Sequence, residues 1–465
     1  MKSIISFAFY LCAVASLLSQ EVAGTWQGNL DVQGVTLEIV FHIEKQDSGY
    51  SALMDSPSQG AFNIPTTKTS FEDGQLQIVV SDLGIFYRGK FVNDTITGTF
   101  NQAGIPFPLV LARTNKEEIL RPQEPKAPYP YNVEEIVFTN SKEKINLSGT
   151  LTLPEGKEKS PAVILIAGSG PNDRDETIFG HKPFWVLADY LTRNGVAVLR
   201  YDKRGTGESG GEYFTATTLD FADDAEAALN YLKTRKEIDS KNLGMIGHSE
   251  GGIIAPMIAA RNNDVSFIVL MAGLGVSGEE LSLAQNQFAF NKASISEKEK
   301  EKLEQILRNI YKSVTDWSEY VGSAKERDKL KKELGVLWEN LPKEIQTTVK
   351  KELFVEKTTS NIASPWFRSF LKTNPADYLQ KIRIPVLAIN GENDTQVDYQ
   401  TNLKAIENAL IKGGNKKYTI KTYPKLNHLF QESITGEIDE YGKIEQTISP
   451  EVLTDVTKWV WEQVK

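Results

Sequence analysis

Cysteine is nearly missing from this chain: the only one among 465 residues is Cys12, inside an apolar N-terminal stretch. No disulfide framework can therefore hold the remainder together. Histidine is also scarce, with four residues that do not cluster, so the acidic group Asp173, Asp175 and Glu176 lacks the imidazole company of a transition-metal site. It reads instead as ion pairing with Arg174 or local turn capping. Beyond the N-terminal stretch no apolar run reaches the roughly 20 residues of a membrane span. A basic excess is absent too: the net charge is −9 and no basic run interleaves with aromatics, which excludes a nucleic-acid backbone or an anionic membrane surface as partner. What remains is 40% hydrophobic and 24% charged, the composition of a soluble globular protein whose length calls for about two or three domains.

The N-terminus, MKSIISFAFYLCAVASLLSQ, has a lysine at position 2, an apolar segment from Ile4 to Leu18, and then Ser19 and Gln20. This layout predicts a signal peptide over residues 1–20. Bulky Tyr10 and Leu11 before Cys12 speak against lipid attachment there. A cysteine-free exported chain without a membrane span suits the bacterial periplasm or a secreted protein.

Residues 21–115 alternate short period-two runs (VTLEIVFHIEK, LQIVVSD, TITGTFNQAG) with Gly, Asn and Asp. Such a pattern predicts a small antiparallel β-domain, barrel or sandwich. A linker over 116–132 follows, proline-rich from Arg121. From 133 to 465 the texture changes to continuous apolar runs (AVILIAG, VAVLRYD, NLGMIG, FIVLMAG, IPVLAING, YTIKTYP) separated by helical patterns. Strands buried on both faces read this way, so the fold class is α/β, a doubly wound and mostly parallel sheet. About 110 residues separate the strand ending near Ala272 from that starting near Ile384, far more than a βαβ crossover needs. The excess, 276–375, predicts a helical cap.

The pentapeptide GHSEG at 247–251 follows a buried strand and opens the helix GGIIAPMIAARN. That is the strand–turn–helix setting of a nucleophile elbow, with Ser249 at the carboxyl end of the sheet and glycines where a Cβ would collide. A serine nucleophile needs a base and an orienting acid. Of the four histidines, His42 lies in the β-domain, His181 in a loop after the third sheet strand where it could line a cleft, and His248 beside the serine in a packing position. His428, in the loop after the last strand, is the expected base. Asp394 in INGENDTQVD is the expected acid, with Asp398 and Glu392 as rivals that could equally serve as a helix cap or surface carboxylate. The order Ser249, Asp394, His428 is that of α/β-hydrolases. The oxyanion donors should be the backbone N–H of Glu250 and one from AGSGPNDRDE, at Ser169 or Gly170.

Taken in order, AGSGPNDRD, RYDKRGTGES, GHSEGG, NGENDTQV and LNHLFQ resemble the serine α/β-hydrolases, and within them bacterial carboxylesterases with a β-rich domain ahead of the catalytic one. The resemblance covers roughly residues 130–465 and reaches the β-domain only weakly. It implies hydrolysis of a small-molecule carboxylic ester through an acyl-enzyme, with no metal or organic cofactor. Aminopeptidase and acyl-transfer branches of the family keep those two chemistries open.

Three patterns compete with this reading. GTGESG at 205–210 spells a dinucleotide fingerprint, but no helix follows before about residue 219 and no acid sits at a strand end some twenty positions later. A propeller-bearing peptidase would need more β-structure than 21–115 holds. A non-catalytic binding protein is the remaining alternative, and a homodimer is compatible with the sequence. In the cap, Phe288, Phe290, Trp338, Trp366 and Phe367 are candidates either for a substrate pocket or for ordinary core.

Overall fold

The structure is a computed structural model and describes residues 22–32, 35–56, 61–102, 104–114, 121–156, 158–317, 322–347 and 349–464. The expected signal peptide lies outside them. The chain divides into two compact units that part between Lys116 and Glu117.

The first unit is antiparallel β. Its strands are β1 (Gly24–Val32), β2 (Val35–Gln46), β3 (Gly49–Ser56), β4 (Ala61–Pro65), β5 (Lys68–Glu72), β6 (Gln75–Val80), β7 (Ile85–Val92), β8 (Thr95–Gln102) and β9 (Ile105–Arg113). They hydrogen-bond in the order β2-β1-β9-β8-β7-β6-β5-β3-β4, and a further β2–β3 pairing closes the ring. Closure removes the exposed edges of an open sheet, so the unit is a barrel. Strict alternation along β7, where Ile85, Tyr87, Phe91 turn inward, packs them with Trp26, Phe41 and Phe100 in one core.

The second unit carries an eight-stranded sheet: β10 (Tyr131–Asn140), β11 (Ile145–Pro154), β12 (Ser160–Ile166), β13 (Ala197–Tyr201), β14 (Ile238–His248), β15 (Phe267–Met271), β16 (Val386–Gly391) and β17 (Tyr418–Tyr423), in the order β10-β11-β13-β12-β14-β15-β16-β17. β10 and β11 are antiparallel, β11 meets β13 antiparallel, and all later neighbours run parallel. Helices α1 (Pro183–Arg193), α2 (Thr218–Thr234) and α3 (Gly251–Ala259) precede the cap. Residues between β15 and β16 form α4 (Gly278–Lys292), α5 (Glu297–Thr315), α6 (Ala324–Asn340), α7 (Lys343–Gln346), α8 (Lys351–Ile362), α9 (Pro365–Lys372) and α10 (Ala376–Leu379). α11 (Tyr399–Gly413), α12 (Ile438–Tyr441) and α13 (Pro450–Gln463) complete the unit.

The unbroken apolar runs of β12 to β16 are buried because helices cover both faces. Phe184, Leu187 and Leu191 of α1 join Val452, Val456 and Val460 of α13 on one side. Phe221 and Leu229 of α2, Ile253 and Ile254 of α3, and Ile406 and Leu410 of α11 cover the other. This is the α/β-hydrolase fold. Truncating a fully buried sheet residue such as Ile164 or Leu199 to alanine would cost on the order of 2–5 kcal/mol. The helices after β15 have their own core around Leu303, Leu307, Tyr311, Leu334 and Trp338, while their charged faces pair across one turn, as in Arg308–Glu304. Residues assigned from sequence to the linker behave differently from Arg121 onward: its guanidinium donates to the carbonyls of Gly180, Phe179, Gly442 and Ile444, and the Gln123 amide to that of Ile448. That stretch is tied to the sheet unit, whose β10 begins at Tyr131.

Candidate active site

Ser249 stands between the end of β14 and the start of α3, with φ of +50°. A residue with a Cβ in this left-handed region is strained and persists only when its surroundings hold it there. The two glycines provide the room. A Cβ on Gly247 would lie 2.0 Å from the Gly251 carbonyl oxygen, and one on Gly251 would lie 2.0 Å from the Ile166 carbonyl oxygen of β12. The turn is pinned by Ser249 N–H donating to the Met271 carbonyl of β15 at 2.9 Å.

The loop after β16 brings Asp394 to the same sheet edge. Its Oδ1 accepts the N–H groups of Gln396 (2.8 Å) and Val397 (2.9 Å), and its Oδ2 accepts His428 Nδ1–H at 2.7 Å. Two backbone donors and an imidazole fix the carboxylate, and the carboxylate in turn fixes the His428 ring and its tautomer, leaving Nε2 as the basic nitrogen. Both side chains are buried. The rival acids have other tasks: Asp398 caps α11 through the Thr401 N–H at 2.8 Å, and Glu392 accepts the Thr422 hydroxyl at 2.8 Å.

His42 is on β2 and bonds Asp55 in the barrel unit. His181 is fully buried, with Nε2 against the Tyr441 carbonyl at 2.9 Å, and burial together with the nearby Arg121 charge lowers its pKa to about 4. It is a neutral core histidine. The ring of His248 lies 4.9 Å from that of His428, centroid to centroid, so the nucleophile's neighbour packs directly on the expected base.

Gly168 of the loop after β12 approaches the serine closely: a Cβ there would be 3.2 Å from Ser249 Cβ. Its own N–H is spent on Glu176 Oε1 at 2.6 Å. Burial pushes the pKa of the Tyr213 hydroxyl up to about 12, and the nearby Gly170 backbone N–H works weakly against that rise. Ser169 and Glu250 have N–H groups that no acceptor engages among the described residues.

The Glu250 side chain was not singled out from sequence. It is 1% exposed and accepts from Lys203 Nζ (3.1 Å), the Thr218 hydroxyl (2.8 Å) and the Trp366 indole (2.7 Å). Lys203 Nζ also donates to the Gly168 carbonyl at 2.6 Å. Trp366 belongs to α9, so the helical insertion touches the residue after the serine. Of the other cap aromatics, Phe290 and Trp338 are interior to the cap, Phe367 packs on Tyr311, and Phe288 is 37% exposed.

The acidic group in the glycine loop is distributed over several partners. Arg174 pairs with Asp202, Glu208 and Glu135, and Asp175 pairs with Arg200. Asp173 accepts from the Thr177 N–H and hydroxyl as a turn cap, and Glu176 faces His248. Arg174 thus finds its partners outside the group expected to hold it, because the loop folds toward the β13 end rather than onto itself. No set of three or more His, Cys, Asp or Glu side chains among the described residues could hold a metal ion.

The sequence model of the serine aminopeptidase S33 family matches residues 184–433, more than half the chain. Ser249, Asp394 and His428 fall within the match, and the glycine loop precedes it. The chain is 26% identical over 321 residues to esterase EstD of Thermotoga maritima, covering 68% of this chain and 65% of that protein. It is 25% identical over 186 residues to an uncharacterised 31.7 kDa protein of Escherichia coli, covering 38% of this chain and 62% of that one. The chain thus spans somewhat under two thirds of either curated relative. Among solved structures, it superposes on an esterase of Pyrococcus furiosus with TM-score 0.44 and 16% identity, covering 72% of this chain and 91% of that one. A hypothetical protein of Pseudomonas aeruginosa gives TM-score 0.45 and 16% identity over 76% and 99% of the two chains.

Proposed function

The chain belongs to the serine aminopeptidase S33 family of hydrolases, and from that premise we propose that it hydrolyses carboxylic esters of small to medium acyl chains through an acyl-enzyme on Ser249. The observation that carries the proposal is the Asp394–His428 hydrogen bond of 2.7 Å, formed by loops of two different strands at the sheet edge that presents the strained Ser249. His428 Nε2 takes the serine proton as Oγ attacks the ester carbonyl. The oxyanion is received by the N–H groups of Glu250 and Ser169, preorganised donors of the kind worth several kcal/mol in a dry site. His428 then protonates the departing alcohol, and water repeats the sequence to release the acid. The name of the Thermotoga relative supports an ester as substrate, while the family's description favours a second reading, cleavage of an aminoacyl amide by the same three residues.

The test is turnover of p-nitrophenyl esters from acetate to dodecanoate beside an aminoacyl anilide, with Ser249→Ala as control. Ester hydrolysis lost in the variant, with little anilide cleavage, supports the proposal. Preferential anilide cleavage moves the assignment to the aminopeptidase reading.

A further inference from the structure

Glu176 is 3% exposed and sits at φ of +51°, a second non-glycine residue held in the left-handed region close to Ser249. Its Oε1 accepts two donors, the Gly168 N–H at 2.6 Å and His248 Nδ1–H at 2.9 Å. The other ring nitrogen of His248, Nε2, faces the backbone carbonyl of His428 at 3.0 Å. With Glu176 ionised, both nitrogens of His248 meet oxygen atoms that can only accept, and a neutral imidazole, with one N–H, would leave one of these contacts without a proton. Only the imidazolium satisfies both.

We propose that Glu176 and His248 form a carboxylate–imidazolium positioning pair that locks the oxyanion loop, the nucleophile strand and the His428 loop into one register. The proposal rests on the serine-hydrolase reading above. Glu176 fixes Gly168 and so turns the next N–H, that of Ser169, toward the reacting centre. Through His248 the same carboxylate holds the His428 main chain, while Asp394 holds the His428 ring; main chain and ring are thus anchored from opposite sides. Neither member touches substrate. Burial alone would lower the His248 pKa, but the Glu176 charge and hydrogen bond, the His428 carbonyl and the Asp394 charge outweigh it and the net direction is upward. The titratable and charged groups facing the pair are the His428 ring, 4.9 Å from that of His248 between centroids, Asp394 from the β16 loop and, through the Gly168 carbonyl, Lys203 from the β13 loop.

Four histidines in the chain make ring-nitrogen NMR of the full-length protein, 15N-labelled at histidine, a direct readout. At pH 7.5 one ring should carry protons on both nitrogens, vanish in His248→Gln, and lose one proton in Glu176→Gln. In ester turnover, Glu176→Gln should lower kcat roughly tenfold, and Glu176→Ala further, with KM within about twofold, as expected of misplacement rather than lost binding. The alkaline limb of kcat should move to lower pH in Glu176→Gln, because His248 then sheds its proton sooner. A bare nitrogen on His248 in the wild-type spectrum overturns the proposal whether or not the variants fold, and so does unchanged kcat in both Glu176 variants. If the wild type turns over no ester, the hydrolase reading fails while the spectrum still decides the pair.

Discussion

At the scale of single residues, the site divides labour among side chains of the same type according to what surrounds them. Four histidines occupy four environments, and His428 is the one at the sheet edge of Ser249 whose Nδ1 is fixed by a carboxylate, leaving Nε2 as the basic nitrogen. His181 shows the opposite extreme. Its folded pKa is near 4, below the roughly 6.5 of an unfolded histidine, so the unfolded chain binds its proton first as pH drops. Stability from this group is present above about pH 6.5 and is lost between there and pH 4, by on the order of 3 kcal/mol. Thermal melts across that interval should show a shallower acid-side decline in His181→Asn than in wild type. For Asp394→Asn, the amide cannot hold the His428 tautomer and kcat should fall on the order of 10³ to 10⁴-fold in a p-nitrophenyl acetate assay.

At the scale of elements, the nucleophile turn depends on close approach of α3 to β12. Gly251→Ala would drive a Cβ into the Ile166 carbonyl oxygen, 2.0 Å away. Overpacking of this kind costs about 1–3 kcal/mol or displaces the turn, so both Tm and ester turnover should drop, whereas Gly335→Ala within α6, whose Cβ would meet only the Lys351 side chain at 3.7 Å, should leave both intact. The contact of α9 with the turn is a single hydrogen bond from Trp366 to Glu250. Trp366→Phe keeps the ring and removes the donor; the expected result is an altered acyl-length profile rather than lost chemistry, measured over the ester series. These elements differ in how far sequence betrayed them. GHSEG between a buried strand and an apolar helix located the turn because local pattern and steric need coincide. Glu176 and Glu250 carry no such local mark: their meaning comes from His248, Trp366 and Lys203, which reach them from distant loops. The choice between Ser169 and Gly170 is likewise illegible in sequence, since neighbouring positions of one loop carry the same backbone donor.

At the scale of the whole molecule, the chain is two units with separate cores, and residues from Arg121 onward already belong to the second through hydrogen bonds to the 179–180 and 442–448 carbonyls. A chain starting at Glu117 should therefore fold, melt cooperatively and keep ester turnover within about tenfold of the full chain, its conformational cost being met by its own core. The two-unit layout was legible because period-two alternation gives way to continuous apolar runs at the proline-rich stretch. Barrel closure was not legible, since the β2–β3 pairing that joins the ring leaves no trace in either strand's pattern. Whether Ser249 is the nucleophile is decided by treating the full chain with a fluorophosphonate and mapping the modified peptide by mass spectrometry. One phosphonyl group is expected, on Ser249, absent from Ser249→Ala and formed far more slowly in His428→Ala. Ester turnover that survives Ser249→Ala, or a label on any other residue, would contradict that assignment.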